Sequence, residues 1–169
     1  DEGDLTKKGE RAILDAVKAG APMLVRTAHT RSYQTVVNLG IAHTCLDYIY
    51  EKSRNFRTLS KNLAKAVMQS GKDAVYLVDG SASEDNSVKA LCQKTRGKIN
   101  IIDGVSKVTA LVRKAKLDGC SYTAVSAYEL SERANSGDLA LPLVVYDMDD
   151  KALASDCKLL LGDLYGEET

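Results

Sequence analysis

The first seventy residues place their apolar side chains mostly at helical spacing. Three segments repeat an apolar residue every three or four positions: residues 5–20, 33–52 and 57–71. The first and third of these end at a glycine, which is a common helix stop. A short apolar run at residues 22–28 is typical of a β-strand. The pattern predicts a mostly helical N-terminal part, residues 1–70.

From residue 71 onward the period changes, and short apolar runs alternate with helix-length segments. Four runs have strand length, residues 74–79, 99–103, 121–125 and 142–146, and "KLLL" at 158–161 is a further candidate. Amphipathic segments at 84–95 and 105–118 lie between them. Strands that are apolar throughout and alternate with helices are typical of a parallel sheet covered on both faces. We therefore predict one α/β domain, residues 1–169, with a single, mainly parallel sheet in a Rossmann-like three-layer arrangement.

Charge and composition narrow the classes of function. Lysine plus arginine equal aspartate plus glutamate at 23 each, so the whole chain offers no electrostatic argument for a long nucleic-acid footprint, although a local basic patch stays open. Apolar runs are too short to cross a bilayer, so we expect no membrane partner. The four cysteines have no C-x-x-C spacing, which predicts free, buried thiols in a reducing, cytoplasmic compartment. Two disulfides are the alternative for a secreted protein.

Acidic side chains follow three of the predicted strands. Asp79, Asp103 and Asp147 each stand directly after an apolar run, and Asp149 follows two residues later. Because the carboxyl ends of parallel strands share one edge of a sheet, these side chains are candidates for a common site. Carboxylates are good ligands for Mg²⁺. Aspartate is also a common turn and helix-cap residue, which is the structural alternative.

Two of these aspartates lie in segments that resemble known motifs. Asp79, Ser81 and Ser83 in "VDGSAS" resemble the Asp-x-Ser-x-Ser metal-adhesion motif of von Willebrand A-type domains, which implies Mg²⁺ coordination by one carboxylate and two hydroxyls. "YDMDD" resembles the first motif of haloacid-dehalogenase phosphatases, with Asp147 and Asp149 at its acidic positions. The candidate metal ligands are Asp79, Ser81, Ser83, Asp103 and Asp147.

A second candidate site begins at "IIDGVSK". Gly104 precedes a predicted helix whose first turn carries Ser106 and Lys107, and Ser126 follows the next strand. Backbone amides, a hydroxyl and an ammonium at a helix N-terminus favour phosphate. The segment resembles the phosphate loop of sugar-phosphate-sensing regulator domains, which implies a phosphate-bearing ligand at these four residues.

The order and length of the elements in residues 58–125 resemble a small ribosomal class of RNA-binding α/β domain, which implies RNA as a partner. The glycine that this class carries after its "SK-x-x-L" segment is replaced by Ala110 and Leu111 here.

These observations favour binding over catalysis. We expect a non-catalytic α/β binding or assembly module that holds a phosphate-bearing ligand, nucleotide or RNA at the carboxyl edge of the sheet, with no cofactor or with Mg²⁺. One alternative is a Mg²⁺-dependent phosphoryl-transfer or nuclease enzyme that uses the strand-end aspartates. The other is a structural subunit that forms homo-oligomers or binds protein partners and has no small-molecule site.

Overall fold

The computed structural model describes residues 5–148 and 151–166 of the chain. The chain divides into two compact units, residues 1–106 and 107–169. Each unit contains its own small parallel sheet, of three strands in the first and two in the second. The protein is therefore mixed α/β, with about half of its residues in helices.

The first unit is built on a three-stranded parallel sheet of order β2-β1-β3. Its elements in chain order are α1 (Lys7–Lys18), β1 (Met23–Val25), α2 (Arg31–Asn38), β2 (Thr44–Cys45), α3 (Asp47–Glu51), α4 (Phe56–Gln69), β3 (Val75–Leu77) and α5 (Asn86–Thr95). A single 3₁₀ turn, Ala82–Glu84, lies between β3 and α5. The sheet places the loops after β1 and β3 beside one another at its carboxyl edge.

Strand β1 divides the core of this unit into two clusters, because successive strand side chains point to opposite faces. Leu24 packs in one cluster with residues of α3, α4 and α5, among them Leu63, which is fully buried. Met23 and Val25 pack in the other cluster, with residues of α1 and the α2 region. Residues from helices therefore pack against the side chains on each of the two faces of β1.

The described residues of the second unit, 107–148 and 151–166, form a two-stranded parallel sheet and three helices. Its elements are α6 (Lys107–Lys114), β4 (Thr123–Ser126), α7 (Leu130–Ser136), β5 (Leu143–Tyr146) and α8 (Lys151–Tyr165). Val144 packs with Val108 and Val112 of α6. Val125, on the neighbouring strand, packs in a separate cluster with residues of α7 and α8.

Four details of the predicted elements are wrong. Residues 33–52 do not form one helix, since α2 ends before Gly40, which adopts a left-handed backbone (φ 63°), and β2 follows. Residues 99–103 are not a strand, and they are held instead through side chains, as described below. The candidate strand at 158–161 lies within α8, where Leu160 and Leu161 pack on the second unit's core. The remaining strands form two sheets and not one.

The cysteines are all free thiols, as expected, but their burial differs. Cys157 is buried, Cys45 and Cys92 are half-buried, and Cys120 is exposed, so the expectation of four buried thiols is wrong. Within the described residues, none of the helices combines the length and apolar character needed to cross a bilayer.

Candidate functional site

The carboxyl edge of the first sheet gathers polar side chains from loops that are distant in sequence. Asp103, which is exposed, accepts a hydrogen bond from the Ser81 hydroxyl to Oδ1 and from the Ser83 hydroxyl to Oδ2, each at 2.9 Å. The Ser83 backbone N–H also donates to Oδ1 at 2.9 Å. The donors from Ser83 and Ser81 hold the pKa of the Asp103 carboxyl below its usual value, with the Ser83 backbone N–H as the largest cause. Asp103 thus orders the loop after β3.

Gly104 is fixed by a close approach of two backbones. A Cβ built on Gly104 would lie 2.2 Å from the carbonyl oxygen of Gly80, a distance that real side chains do not tolerate. Gly80 itself has a left-handed backbone, with φ 77°. The Asp79-Gly80 and Asp103-Gly104 turns are therefore in contact. This contact requires a glycine at position 104, independently of any role in phosphate binding.

Asp79 is oriented by a different partner from the one that the motif implies. The Ser32 hydroxyl, at the start of α2, donates to Asp79 Oδ1 at 2.5 Å. Ser81 and Ser83 donate to Asp103 instead, and coordination of Mg²⁺ by Asp79, Ser81 and Ser83, which the resemblance implies, stays a prediction. Whether Asp79 and Asp103 share a cation remains a prediction.

Ser106, which belongs to the predicted phosphate site, also donates a hydrogen bond to a carboxylate. Ser106 donates its hydroxyl to Glu84 Oε1 at 2.5 Å, and Glu84 belongs to the 3₁₀ turn after β3. The edge is consequently rich in acceptors: Asp79, Glu84 and Asp103 all lie in loops that leave β3 or approach α6. The Ser106 hydroxyl, which was expected to bind phosphate, donates to Glu84, and the Ser81 and Ser83 hydroxyls, which were expected to bind Mg²⁺, donate to Asp103.

Sequence reasoning missed a buried network beneath this edge. Arg26, directly after β1, donates from Nη1 to Asp85 Oδ2 at 2.7 Å, and the Asp85 side chain is only 3% exposed. Asp85 Oδ1 also accepts from the backbone amides of Ser87 and Val88 at 2.8 and 3.2 Å and from the Ser87 hydroxyl. Asp85 is thus the N-cap of α5 and one half of an ion pair. The cap pattern was readable from sequence, whereas the arginine partner 59 residues away was not.

Tyr76 extends the network into the sheet. Because the Ser87 hydroxyl donates to Asp85, the Tyr76 hydroxyl donates to Ser87 Oγ, at 2.9 Å. Burial, followed by the negative charge of Asp85, raises the pKa of Tyr76 above its usual value. The network therefore joins β1, β3 and the first turn of α5 through polar groups alone.

A further carboxylate, Asp47, follows β2 at the same edge. It accepts hydrogen bonds from the Cys45 thiol at 3.0 Å and from the Ala28 backbone N–H at 3.1 Å. Burial raises the pKa of Asp47, but hydrogen bonds from Cys45, Thr27 and Ala28 outweigh it, and the net direction is down. Burial and the hydrogen bond to Asp47 raise the pKa of the Cys45 thiol. The Cys45 thiol therefore donates to Asp47, and its raised pKa favours the protonated form.

The second unit brings together three predicted site residues, Lys107, Ser126 and Asp147. Lys107 Nζ lies 3.7 Å from Asp147 Oδ1, and the buried Ser126 hydroxyl donates to Asp147 Oδ2 at 3.3 Å. Asp147 adopts a left-handed backbone, with φ 61°. Two residues predicted to bind phosphate thus contact one residue predicted to bind metal. Asp149 lies outside the described residues.

Over residues 5–148 and 151–166, no group of three or more histidine, cysteine, aspartate or glutamate side chains is arranged to hold a metal ion. Comparison with known proteins gives no assignment: no family model, no curated protein and no solved structure matches the chain.

Proposed function

We propose that the protein is a non-catalytic binding module that holds a phosphate-bearing ligand of the nucleotide class at the carboxyl edge of the first unit's sheet. The observation that carries the proposal is the ordered pair of loops in which Ser81 and Ser83 fix the Asp103 carboxylate and Gly104 touches Gly80. Loops at the carboxyl ends of parallel strands are the usual ligand site of such sheets.

The charge of this edge indicates how a phosphate would be bound. Asp79, Glu84 and Asp103 supply negative charge, and the hydroxyls of Ser81, Ser83 and Ser106 donate to Glu84 and Asp103. A bare phosphate would be repelled, whereas a phosphate complexed with Mg²⁺ would be attracted. Mg²⁺ is commonly held by one or two carboxylates together with waters and substrate phosphates, without a complete protein cage. We therefore propose Mg²⁺ with the ligand, and Asp79 and Asp103 as its protein contacts.

Thermal melting tests this proposal with four solutions: buffer, Mg²⁺ alone, ATP alone and ATP with Mg²⁺. At a free ligand concentration ten times Kd, binding contributes about 1.4 kcal/mol, which raises the melting temperature by a few degrees. We expect that rise only when ATP and Mg²⁺ are both present. Asp79→Asn and Asp103→Asn should abolish it.

Asp73→Asn is the matched control, because this exposed aspartate precedes β3 and lies at the opposite end of the strand. It should leave the response unchanged. An equal shift with ATP in the absence of Mg²⁺, or the same loss in all three variants, would contradict the proposal. Release of inorganic phosphate would favour the Mg²⁺-dependent enzyme, and a stable oligomer without any ligand response would favour the assembly subunit.

The second unit's polar group is a weaker candidate for the same ligand. Lys107 and Ser126 both contact Asp147, so a phosphate would compete with a carboxylate that is already in place. Phosphate binding by Lys107 and Ser126 remains a prediction, as does metal binding by Asp147.

The three-layer, Rossmann-like arrangement is also a proposal. It is supported in the first unit by the two apolar clusters to which β1 and β3 contribute alternate side chains. Leu24 and Tyr76 belong to one cluster, whereas Val25 and Leu77 belong to the other.

A further inference from the structure

The basic residues of the first unit are concentrated in one stretch of the chain. Residues 52–98 contain ten lysine or arginine residues and four acidic residues, an excess of six positive charges in a chain of zero net charge. All ten basic side chains are exposed, and they are Lys52, Arg54, Arg57, Lys61, Lys65, Lys72, Lys89, Lys94, Arg96 and Lys98. We call this set the basic layer. Asp73 is the one exposed acid within the stretch, and Glu51 stands at its border.

The fold gathers the basic layer on one side of the sheet. The basic layer lies on α4, α5 and their flanking loops, and the buried faces of both helices pack in the same apolar cluster as Leu24. The two helices are in direct contact. The acids Asp79, Glu84 and Asp85 of the same stretch lie instead in the loop between β3 and α5. Apart from Asp73, the positive and negative side chains of residues 52–98 therefore lie in different places.

Within the described part of the chain, the side chains of the basic layer are not neutralised by ion pairs with the protein's own acids. Among the described residues, none of the ten forms an ion pair, and Lys52 lies over the Tyr48 ring at 5.4 Å. On α4, Arg57, Lys61 and Lys65 recur every four residues and lie on one stripe of the helix. Each step along this stripe is about 6 Å. The helix thus presents a row of regularly spaced cations to solvent.

We propose that the basic layer binds a nucleic-acid strand through its phosphate backbone. A regular row of cations complements a polymer with one negative charge per nucleotide. Tyr48, which is 47% exposed and lies on the adjacent helix α3, adds an aromatic surface on which a base can stack. An anionic membrane fits less well, because an interfacial helix inserts its apolar face into lipid, whereas α4 uses Leu59, Leu63 and Val67 for the protein core. This proposal does not depend on the nucleotide site at the sheet edge.

Fluorescence anisotropy with a labelled 20-nucleotide poly-uridine RNA tests the proposal, using the full chain over a series of salt concentrations. The logarithm of the binding constant should fall linearly with the logarithm of salt, with a slope of about −0.7 per phosphate contact. The triple variant Arg57→Gln, Lys61→Gln, Lys65→Gln should flatten that slope by about 2 and weaken binding about tenfold or more at low salt. Circular dichroism should show an unchanged fold, because all three side chains are exposed.

The matched control removes the same charge from α1 with Lys7→Gln, Arg11→Gln and Lys18→Gln, which are also exposed and helical. Its affinity and its salt slope should stay close to those of the wild type. An equal loss in both triple variants would show an effect of net charge alone and would overturn the proposal. An absence of RNA binding at low salt would also overturn the proposal. So would binding to phosphatidylserine vesicles that is tighter than binding to the RNA and depends on the same three residues.

Discussion

Replacing Gly104 by alanine tests the contact on which the sheet-edge loops depend. The added Cβ would lie 2.2 Å from the Gly80 carbonyl oxygen, whereas ordinary van der Waals contacts begin at 3.4 Å. The two loops must therefore separate by about 1 Å, because both colliding groups are close to rigid backbone. Neither loop can relieve the overlap by changing a side-chain rotamer.

The loss of stability follows from the overpacking and from the hydrogen bonds that this displacement breaks. The donors of Ser81 and Ser83 lie 2.9 Å from the Asp103 carboxylate, and a shift of about 1 Å takes them beyond hydrogen-bonding distance. Overpacking of this kind costs about 1–3 kcal/mol. The three lost hydrogen bonds add less than their usual value, since Asp103 is exposed and water replaces the donors. We expect Gly104→Ala to lower the free energy of unfolding by about 2–4 kcal/mol.

Urea unfolding followed by circular dichroism measures this loss. Gly162→Ala is the matched control, because Gly162 lies in α8 and its added Cβ would meet no atom within 4 Å. That variant should be neutral or more stable by up to about 1 kcal/mol, as alanine favours a helix over glycine. A Gly104→Ala protein within about 0.5 kcal/mol of the wild type would refute the reasoning, since the loops would then not be held in contact.

Three further predictions use the same measurement. Arg26→Met removes the cation that pairs with the buried Asp85 and should lower the free energy of unfolding by about 3 kcal/mol. Arg133→Met breaks an exposed ion pair and should lower it by less than about 0.5 kcal/mol. Equal losses in the two variants would contradict the buried pairing. Asp103 has a lowered pKa in the folded state, so its stabilising contribution is complete above its ordinary pKa of about 3.9 and is lost as pH falls through the folded value. The difference in stability between wild type and Asp103→Asn should accordingly narrow below about pH 4, and a difference that is constant with pH would argue against the serine donors. Val108→Asp introduces a charge among Val112 and Val144 and should cost several kcal/mol, so a stable variant would place this face of α6 in solvent.

The sequence predicted those elements whose identity depends on nearby residues. The apolar spacing of Leu59, Leu63 and Val67 gives α4, and all three side chains are buried in the fold. The apolar runs at β3, β4 and β5 are likewise strands, because short runs without polar interruptions suit strands that are packed on both sides. Pattern and packing agree in these segments.

The errors occur where a distant contact decides between two local alternatives. Residues 39–46 continue a helical apolar spacing, yet Gly40 ends α2 and Thr44 pairs with Leu24 of β1 in a parallel register. The run at 99–103 is as apolar as a strand, but Asp103 binds the loop after β3 and Ile99 packs against the first cluster. Local propensity cannot foresee either outcome, since each depends on which segment lies alongside.

The site's function stays a prediction, and the sequence did not predict which of its side chains pair with one another. Asp79, Ser81 and Ser83 lie in the loop after β3, and Asp103 contacts that loop although the segment before it is not a strand; the serines donate to Asp103, and Asp79 accepts from Ser32. These partners are separated by 20 to 47 residues. Sequence alone identifies an edge where polar groups collect, and the choice of partner depends on the geometry of the loops.

The buried Arg26–Asp85 pair also determines how the first turn of α5 can open. Helix ends ordinarily fray, and their amides then exchange hydrogen with solvent quickly. Here the amides of Ser87 and Val88 donate to the same carboxylate that Arg26 binds from β1. Opening that turn would break the Arg26–Asp85 ion pair, so these two amides should exchange only in larger unfolding events that include the sheet. The N-terminus of α5 should consequently exchange with the cooperative part of the first unit and not as a frayed helix end, although it lies directly beside the proposed ligand loops.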